Sequence, residues 1–256
     1  MKKSKRPQDD GTDLVSLADD RAIEIVHDSV LKLWDAVNDL TRLRPPKRTR
    51  YRATIFGSAR VAKTHWVYKA VRDLAAELTR MDCDVITGGG PGLMQAANEG
   101  VHRVRPKAPA GSVGIRVALP FEQEVNSYVN QAFEHGTFFT RLHHFVVLSD
   151  ACIVVPGGIG TVLETLMIWQ LLQVNKLQNV PLILVGDMYK GLRDWCRESM
   201  LREDCPLASP GDMDIPHCVS DAQGVLEIIC EHHASWRKAN GGSDLRSSRR
   251  SAKRKR

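Results

Sequence analysis

No stretch of this 256-residue chain approaches the ~18 consecutive apolar residues that a membrane helix needs. The expectation is therefore a protein that does not span a membrane. The start is basic (Lys2, Lys3, Lys5, Arg6) but runs on into acidic and polar residues. It lacks the apolar core of a secretory signal, so a cytoplasmic location is expected. Paired Cys-x-x-Cys spacing is missing too. The six cysteines (Cys83, Cys152, Cys196, Cys205, Cys218, Cys230) stand apart in sequence, a pattern that fits reduced thiols better than a disulfide framework. His143 and His144 are adjacent, but neighbours on a helix point about 100° apart and share one ion poorly. No His, Asp or Glu partner stands at a recognisable ligand spacing, so no metal is expected.

Excess charge is absent from most of the chain. The formal net charge is +6, and seven basic residues between Ser243 and Arg256, set against Asp244, account for all of it. So basic a terminal run is expected to be disordered and solvated. Nucleic-acid contact is not the favoured reading of it, and the charge is no argument for a DNA-binding fold. The first 13 residues are polar and mixed in charge, and disorder is expected there as well. Between the tails, Ile23, Val26, Val30, Leu33, Val37 and Leu40 recur at spacings of three and four, a helical stripe that Pro45-Pro46 ends. The expected organisation is a tail over 1–13, a helical extension and linker over 14–50, one sheet domain over 51–240 and a basic tail over 241–256.

What the chain does have is strands alternating with helices, which predicts an α/β domain: a Rossmann-like, doubly wound, mainly parallel sheet. Strands are expected from Tyr51, at 84–87, 112–119, 151–155, 180–185 and 215–219. Helices are expected at 66–81, 93–98, 166–172, 189–202 and 222–236. Residues 121–136 show weak periodicity and read as a loop with short helical pieces.

Three strand-to-helix junctions are rich in glycine. Ala151-Cys152-Ile153-Val154-Val155 leads through Pro156-Gly157-Gly158-Ile159-Gly160-Thr161 into Val162-Leu163-Glu164. Asp84-Val85-Ile86-Thr87 leads through Gly88-Gly89-Gly90-Pro91-Gly92 into Leu93-Met94, and the strand from Tyr51 ends in Phe56-Gly57-Ser58-Ala59-Arg60. Backbone N–H groups in such loops, with the dipole of the next helix, can cradle an anion. In a doubly wound sheet the loops gather at the carboxyl ends of the strands, where ligands bind. Thr161 reads as an N-cap with Glu164 at capping-box spacing, and sharp turns need glycine for steric reasons alone. Both bland readings stand beside the functional one. Phe138 and Phe139 read as core packing.

The paired motifs, Gly88 to Met94 and Pro156 to Glu164, resemble those of the Lonely Guy family of nucleotide phosphoribohydrolases, GGGxxGxM and PGGxGTxxE, the first with one residue fewer before its last glycine. The similarity runs from about Tyr51 to about Val185. Many relatives carry the name lysine decarboxylase, yet no Ser-x-His-Lys-type context for pyridoxal phosphate is found here. The resemblance implies hydrolysis of the N-glycosidic bond of a nucleoside 5′-monophosphate to free base and ribose 5-phosphate, without a cofactor. AMP and a cytokinin riboside 5′-monophosphate are the implied substrates. Its catalytic pair falls on Arg141 and Glu164, and its nucleotide-binding positions on Gly57, Ser58, Gly89, Gly90, Met94, Gly157, Gly158, Gly160 and Thr161.

Leu142 and Leu163 depart from the plant-type pattern, which has lysine and glutamate there, and bear on substrate preference more than on the reaction. A homodimer is implied, with higher assembly left open. The alternative is a non-catalytic nucleotide or molybdenum-cofactor carrier on the same fold.

Overall fold

Seven short strands, two of them apolar along their whole length, form one sheet in which every pairing is parallel. The computed structural model describes residues 24–26, 28, 30–31, 50–105, 111–118 and 125–240. The chain divides into two units, Met1–Arg48 and Thr49–Arg256. In the first unit residues 24–26, 28, 30 and 31 are helical, and Ile25, Val26, Val30 and Leu31 are exposed. Ile23, Leu33, Val37 and Leu40 of the predicted stripe lie outside the described residues, as do both tails.

The second unit holds the sheet. Its strands are β1 (Tyr51–Phe56), β2 (Cys83–Thr87), β3 (Ser112–Val117), β4 (Gln131–His135), β5 (Ala151–Val154), β6 (Leu182–Val185) and β7 (Pro216–Val219). Its helices are α1 (Trp66–Arg80), α2 (Leu93–Val104), α3 (Phe138–Leu148), α4 (Ile159–Gln173), α5 (Asp187–Met200) and α6 (Ala222–Ala239). Across the sheet the order is β4-β3-β2-β1-β5-β6-β7. Strands add outward on one side from β1 and on the other from β5, so the order reverses between these two. This is the switch point at which an open parallel sheet leaves a crevice beyond its carboxyl ends.

Period-two alternation assigns each side chain to a layer. Ala53 and Ile55 of β1, Val85 of β2 and Ile153 of β5 face one core with Val71, Leu74 and Leu78 of α1, Leu93 and Val101 of α2, and Ile229 of α6. Phe56, Ile86, Cys152 and Val154 face the opposite core with Phe145 of α3, Ile168 and Trp169 of α4, and Tyr189 of α5. Burial of each large apolar side chain contributes about 1.5–3 kcal/mol. Helices α1 and α2 approach closely because Gly100 leaves room. A Cβ there would run into the Arg72 carbonyl and meet Ala75 Cβ at 2.9 Å.

Two expectations are corrected. The segment read as a loop contains β4, which pairs with β3 from Val113↔Gln131 to Val117↔His135. It is a short, largely exposed edge strand with polar and charged residues, a composition that protects edges from further pairing and hides the strand from pattern reading. The helix after β5 begins at Ile159 with Gly158 as N-cap and no side-chain cap. Thr161 and Glu164 therefore lie inside the helix, and the capping-box reading fails. All six cysteines are free.

Candidate functional site

The three glycine-rich loops meet at the carboxyl ends of β1, β2 and β5, stitched together by backbone hydrogen bonds from Ser58. Ser58 N donates to the Pro156 carbonyl at 3.1 Å, and the Ser58 carbonyl accepts from Leu93 N at 2.8 Å. The Ser58 hydroxyl is turned back on its own loop, accepting from Arg60 N at 3.1 Å. Several glycines here are steric. A Cβ on Gly57 would meet Val155 Cγ2 at 2.6 Å, and one on Gly92, where φ is +67°, would collide with the Ser58 carbonyl. Gly157 is covered by the side chain of Thr161, which is itself buried. Gly158 and Gly160 differ: both are exposed, neither has a positive φ, and a Cβ on either would meet nothing within 4 Å. Neither packing nor backbone conformation calls for glycine at these two positions, which leaves the opening turn of α4 bare to a ligand.

The Gly88–Gly90 turn is held from behind. Gly89 N donates to Thr87 Oγ1 at 2.9 Å, and Asn126 N donates to the Gly89 carbonyl at 2.9 Å. Asn126 Nδ2 stands 3.0 Å from the carbonyls of Gly89 and Gly90 and from Asn98 Oδ1. Asn98 in turn donates to Ser112 Oγ and accepts from Thr87 Oγ1, each at 2.8 Å. This buried network uses up the loop's carbonyl acceptors, as buried polar groups require. Sequence reasoning missed Asn126 because it lies in the aperiodic stretch before β4, and Asn98 because one polar residue on a helix carries no motif.

Arg141 and Glu164 come together from different helices. Arg141 Nη1 lies 3.3 Å from Glu164 Oε1, with 14% and 10% of their side chains exposed. Arg141 Nε donates to the Ile115 carbonyl at 2.9 Å, and its guanidinium lies over the Phe145 ring, 5.2 Å from the centroid. Its Nη2 fills the space where a Cβ of Gly88 would sit, 2.5 Å away, beside Met94 Sδ at 2.7 Å. Gly88 is thus glycine because Arg141 and Met94 occupy its side-chain position. Burial pushes the Glu164 carboxyl up to about 7, and the Arg141 charge opposes only part of that. A carboxyl poised near neutrality can act as acid or base. Tyr189 steadies the start of the loop after β5 by donating its buried hydroxyl to the Val155 carbonyl at 2.9 Å.

A pocket of about 90 Å³ opens beside this pair, lined by Gly88, Gly89, Gly90, Met94, Arg116 and Arg141 among others. Of the sequence-predicted residues, Gly89, Gly90, Met94 and Arg141 line it; Glu164 does not, but pairs with the lining Arg141, and Gly57, Ser58, Gly157, Gly158, Gly160 and Thr161 do not line it. A larger open groove of about 310 Å³ runs along edge strand β7, past Arg193, His217 and Cys218. It includes none of the three loops, so the smaller pocket is the candidate site.

Phe138 and Phe139, expected in the core, are exposed at the first turn of α3. His144 meets His135 of β4, Nδ1 to Nε2 at 2.8 Å. Burial and the neighbouring imidazole push His144 down to about 4, and burial and the Arg141 charge lower His135 as well. Among the described residues no group of three His, Cys, Asp or Glu could hold a metal ion, and no helix is long and apolar enough to cross a membrane.

The family model described as "Possible lysine decarboxylase" matches residues 94–229, just over half of the chain. The pyrimidine/purine nucleotide 5′-monophosphate nucleosidase of Escherichia coli K12 is 30% identical over 125 residues, which is 46% of this chain and 28% of that enzyme. The match thus spans little more than a quarter of that curated relative. Two solved structures share the fold. The molybdenum cofactor binding protein from Rippkaea orientalis aligns over 72% of this chain and 97% of its own, at a TM-score of 0.53 and 19% identity. The molybdenum cofactor carrier protein of Chlamydomonas reinhardtii aligns over 72% and 99%, at 0.51 and 17%. With both glycine motifs in strand–loop–helix context at one switch point, this chain belongs to the family of that model, the Lonely Guy group often labelled lysine decarboxylase.

Proposed function

We propose that the protein hydrolyses the N-glycosidic bond of a nucleoside 5′-monophosphate, releasing the base and ribose 5-phosphate. The observation that carries this reading is the buried Arg141–Glu164 pair beside a glycine-lined pocket. Cleavage builds positive charge on the ribose and negative charge on the leaving base, as in other glycoside hydrolysis. Glu164, once ionised, stabilises the developing cation and polarises the attacking water. Arg141 keeps that carboxyl from rising further and offers its remaining donors to substrate oxygens. The phosphate lies against the glycine loops, where remote binding energy positions the anomeric carbon. The related nucleosidase of Escherichia coli supports the reaction class. AMP and an N6-modified adenine ribotide are the substrates of choice for the first test.

The working form we propose is a homodimer. Helix α4 is apolar on more than its buried side, and Ile159, Leu163 and Leu166 stand exposed along it. A second copy would cover such a face. Light scattering on the eluting protein gives the assembly directly.

The function is tested by incubating the protein with AMP, GMP, CMP, UMP and isopentenyladenosine monophosphate, and following free base by chromatography. Release from a monophosphate but not from its nucleoside, lost in Glu164→Ala, is the expected result. Binding without release across the panel would overturn the hydrolase and favour a non-catalytic carrier.

A further inference from the structure

The pocket holds a cation that neither glycine motif announces. Arg116, near the end of β3, lines it together with Arg141. The two are coupled through the strand: the Ile115 carbonyl, one residue before Arg116, accepts from Arg141 Nε at 2.9 Å. The remaining lining residues, Ala59, Gly88, Gly89, Gly90, Pro91, Met94 and Val125, are uncharged.

What balances Arg116 is weak. Its only ion-pair partner among the described residues is Glu134, directly opposite in register on edge strand β4. Arg116 Nε lies 3.2 Å from Glu134 Oε2 but outside hydrogen-bonding geometry, so the enclosed Nε has no hydrogen-bond acceptor. The Glu134 side chain is 59% exposed, and a pair so open to water is worth about 0–1 kcal/mol. Arg116 is thus a partly buried guanidinium with spare donors, turned to a pocket whose one other charged group is also a guanidinium. Guanidinium forks of this kind match the oxygens of a phosphoryl group.

We propose that Arg116 is a substrate-binding residue that holds the phosphate oxygens of the ligand at the Gly88–Gly90 turn. It supplies, from strand β3, the second cation that Leu142 of helix α3 does not provide beside Arg141. This rests on the reading of the substrate as a nucleoside 5′-monophosphate. It also moves the principal phosphate contact from the opening turn of α4 to the pocket between β2, β3 and α3.

The test is calorimetric titration of AMP, ribose 5-phosphate and adenosine into the wild type and the variants Arg116→Gln, Arg116→Lys and Glu134→Gln, with base release measured in parallel. Arg116→Gln should weaken AMP and ribose 5-phosphate by about 10- to 100-fold, the size of a lost charge-assisted hydrogen bond. Adenosine binding should stay unchanged, and KM for AMP should rise far more than kcat falls. Arg116→Lys should recover part of the loss. Glu134→Gln breaks the same ion pair but keeps the cation, so it should bind both phosphates at least as tightly as the wild type. Unchanged phosphate affinity in Arg116→Gln would overturn the proposal. So would equal losses in Arg116→Gln and Glu134→Gln, which would make the pair structural. If the wild type binds AMP through Arg116 but releases no base, the hydrolase reading alone falls. If it binds neither phosphate, both fall.

Discussion

Two buried carboxylates stand at opposite ends of the central strand pair and are treated in opposite ways. Asp150, at the amino end just before β5, is saturated. One oxygen accepts from Arg52 N at 2.9 Å and the other from Trp236 Nε1 at 3.0 Å. Around it Tyr51 donates to the Asp150 carbonyl and meets His232 Nδ1 at 2.7 Å. This cluster fastens α6 to the start of β1. Glu164, at the carboxyl end, has one ion pair at 3.3 Å and no hydrogen bond among the described residues. Burial without donors drives its carboxyl up to about 7. A carboxylate whose acceptors are filled holds a structure together; one left short of donors keeps its capacity for a substrate, at a cost to the folded state.

The strongest way to break this contrast is to remove each carboxylate in turn. Glu164→Ala should lower base release by about 10²–10⁴-fold, the usual worth of a positioned acid or base, with AMP affinity little changed. A variant that keeps its rate would end the assignment. Asp150→Ala should do the reverse. Two donors lose their acceptor, at about 1–3 kcal/mol each, so urea unfolding should report a loss of about 2–6 kcal/mol while kcat per folded molecule holds.

Gly88→Ala probes the active end by displacement. The new methyl would push on Arg141 Nη2 and Met94 Sδ, and a shift of about 1 Å in a site of this kind costs about 10²-fold in rate. A rate within a few-fold of wild type would mean that the arginine's position is not critical.

The pH dependence sharpens the comparison. Activity that needs ionised Glu164 should climb to a plateau only above about pH 7. Arg141→Gln removes the influence that lowers this carboxyl, so the climb should move to higher pH. Stability runs the other way. Between the carboxyl's ordinary 4.5 and about 7, the folded protein holds this proton more tightly than the unfolded chain. The group's contribution is therefore full below 4.5 and is lost as pH rises through about 7. Thermal unfolding across that window should show the decline in wild type and a flatter profile in Glu164→Gln. The smallest effect expected is for Tyr189→Phe. Losing the bond to the Val155 carbonyl should cost about 1 kcal/mol, read as a shift in the urea midpoint.

Much of the fold was legible because its signals are local. β5 and β6 are continuous apolar runs, β1 and β2 end in glycine junctions, and α1, α5 and α6 lie within a few residues of their expected ranges. Helix α4, whose apolar residues mark no single face, starts seven residues before the expected 166–172, and α3 was not among the expected helices. Edge strand β4 was not legible, since an exposed strand with only Phe133 and His135 turned partly inward has no alternation strong enough to read. Phe138 and Phe139 misled because whether an aromatic pair at a helix start is covered depends on what packs over that turn, which no local pattern records.

The family resemblance singled out Arg141 and Glu164, but what burial does to Glu164 was not legible in it. A carboxyl near 7 is a product of burial, and burial belongs to the folded chain.

The sequence by itself determined most of the strands and helices and the three glycine junctions, because these rest on neighbours a few residues apart; Arg141 and Glu164 were named through the family resemblance. Only the tertiary structure decided that Arg116 stands beside Arg141, that Asn126 holds the Gly88–Gly90 turn, and that Asp150 and Glu164 have opposite surroundings. Those facts arise from contacts between residues 25 to 98 positions apart, and no local pattern encodes a distance that only packing across a parallel sheet creates.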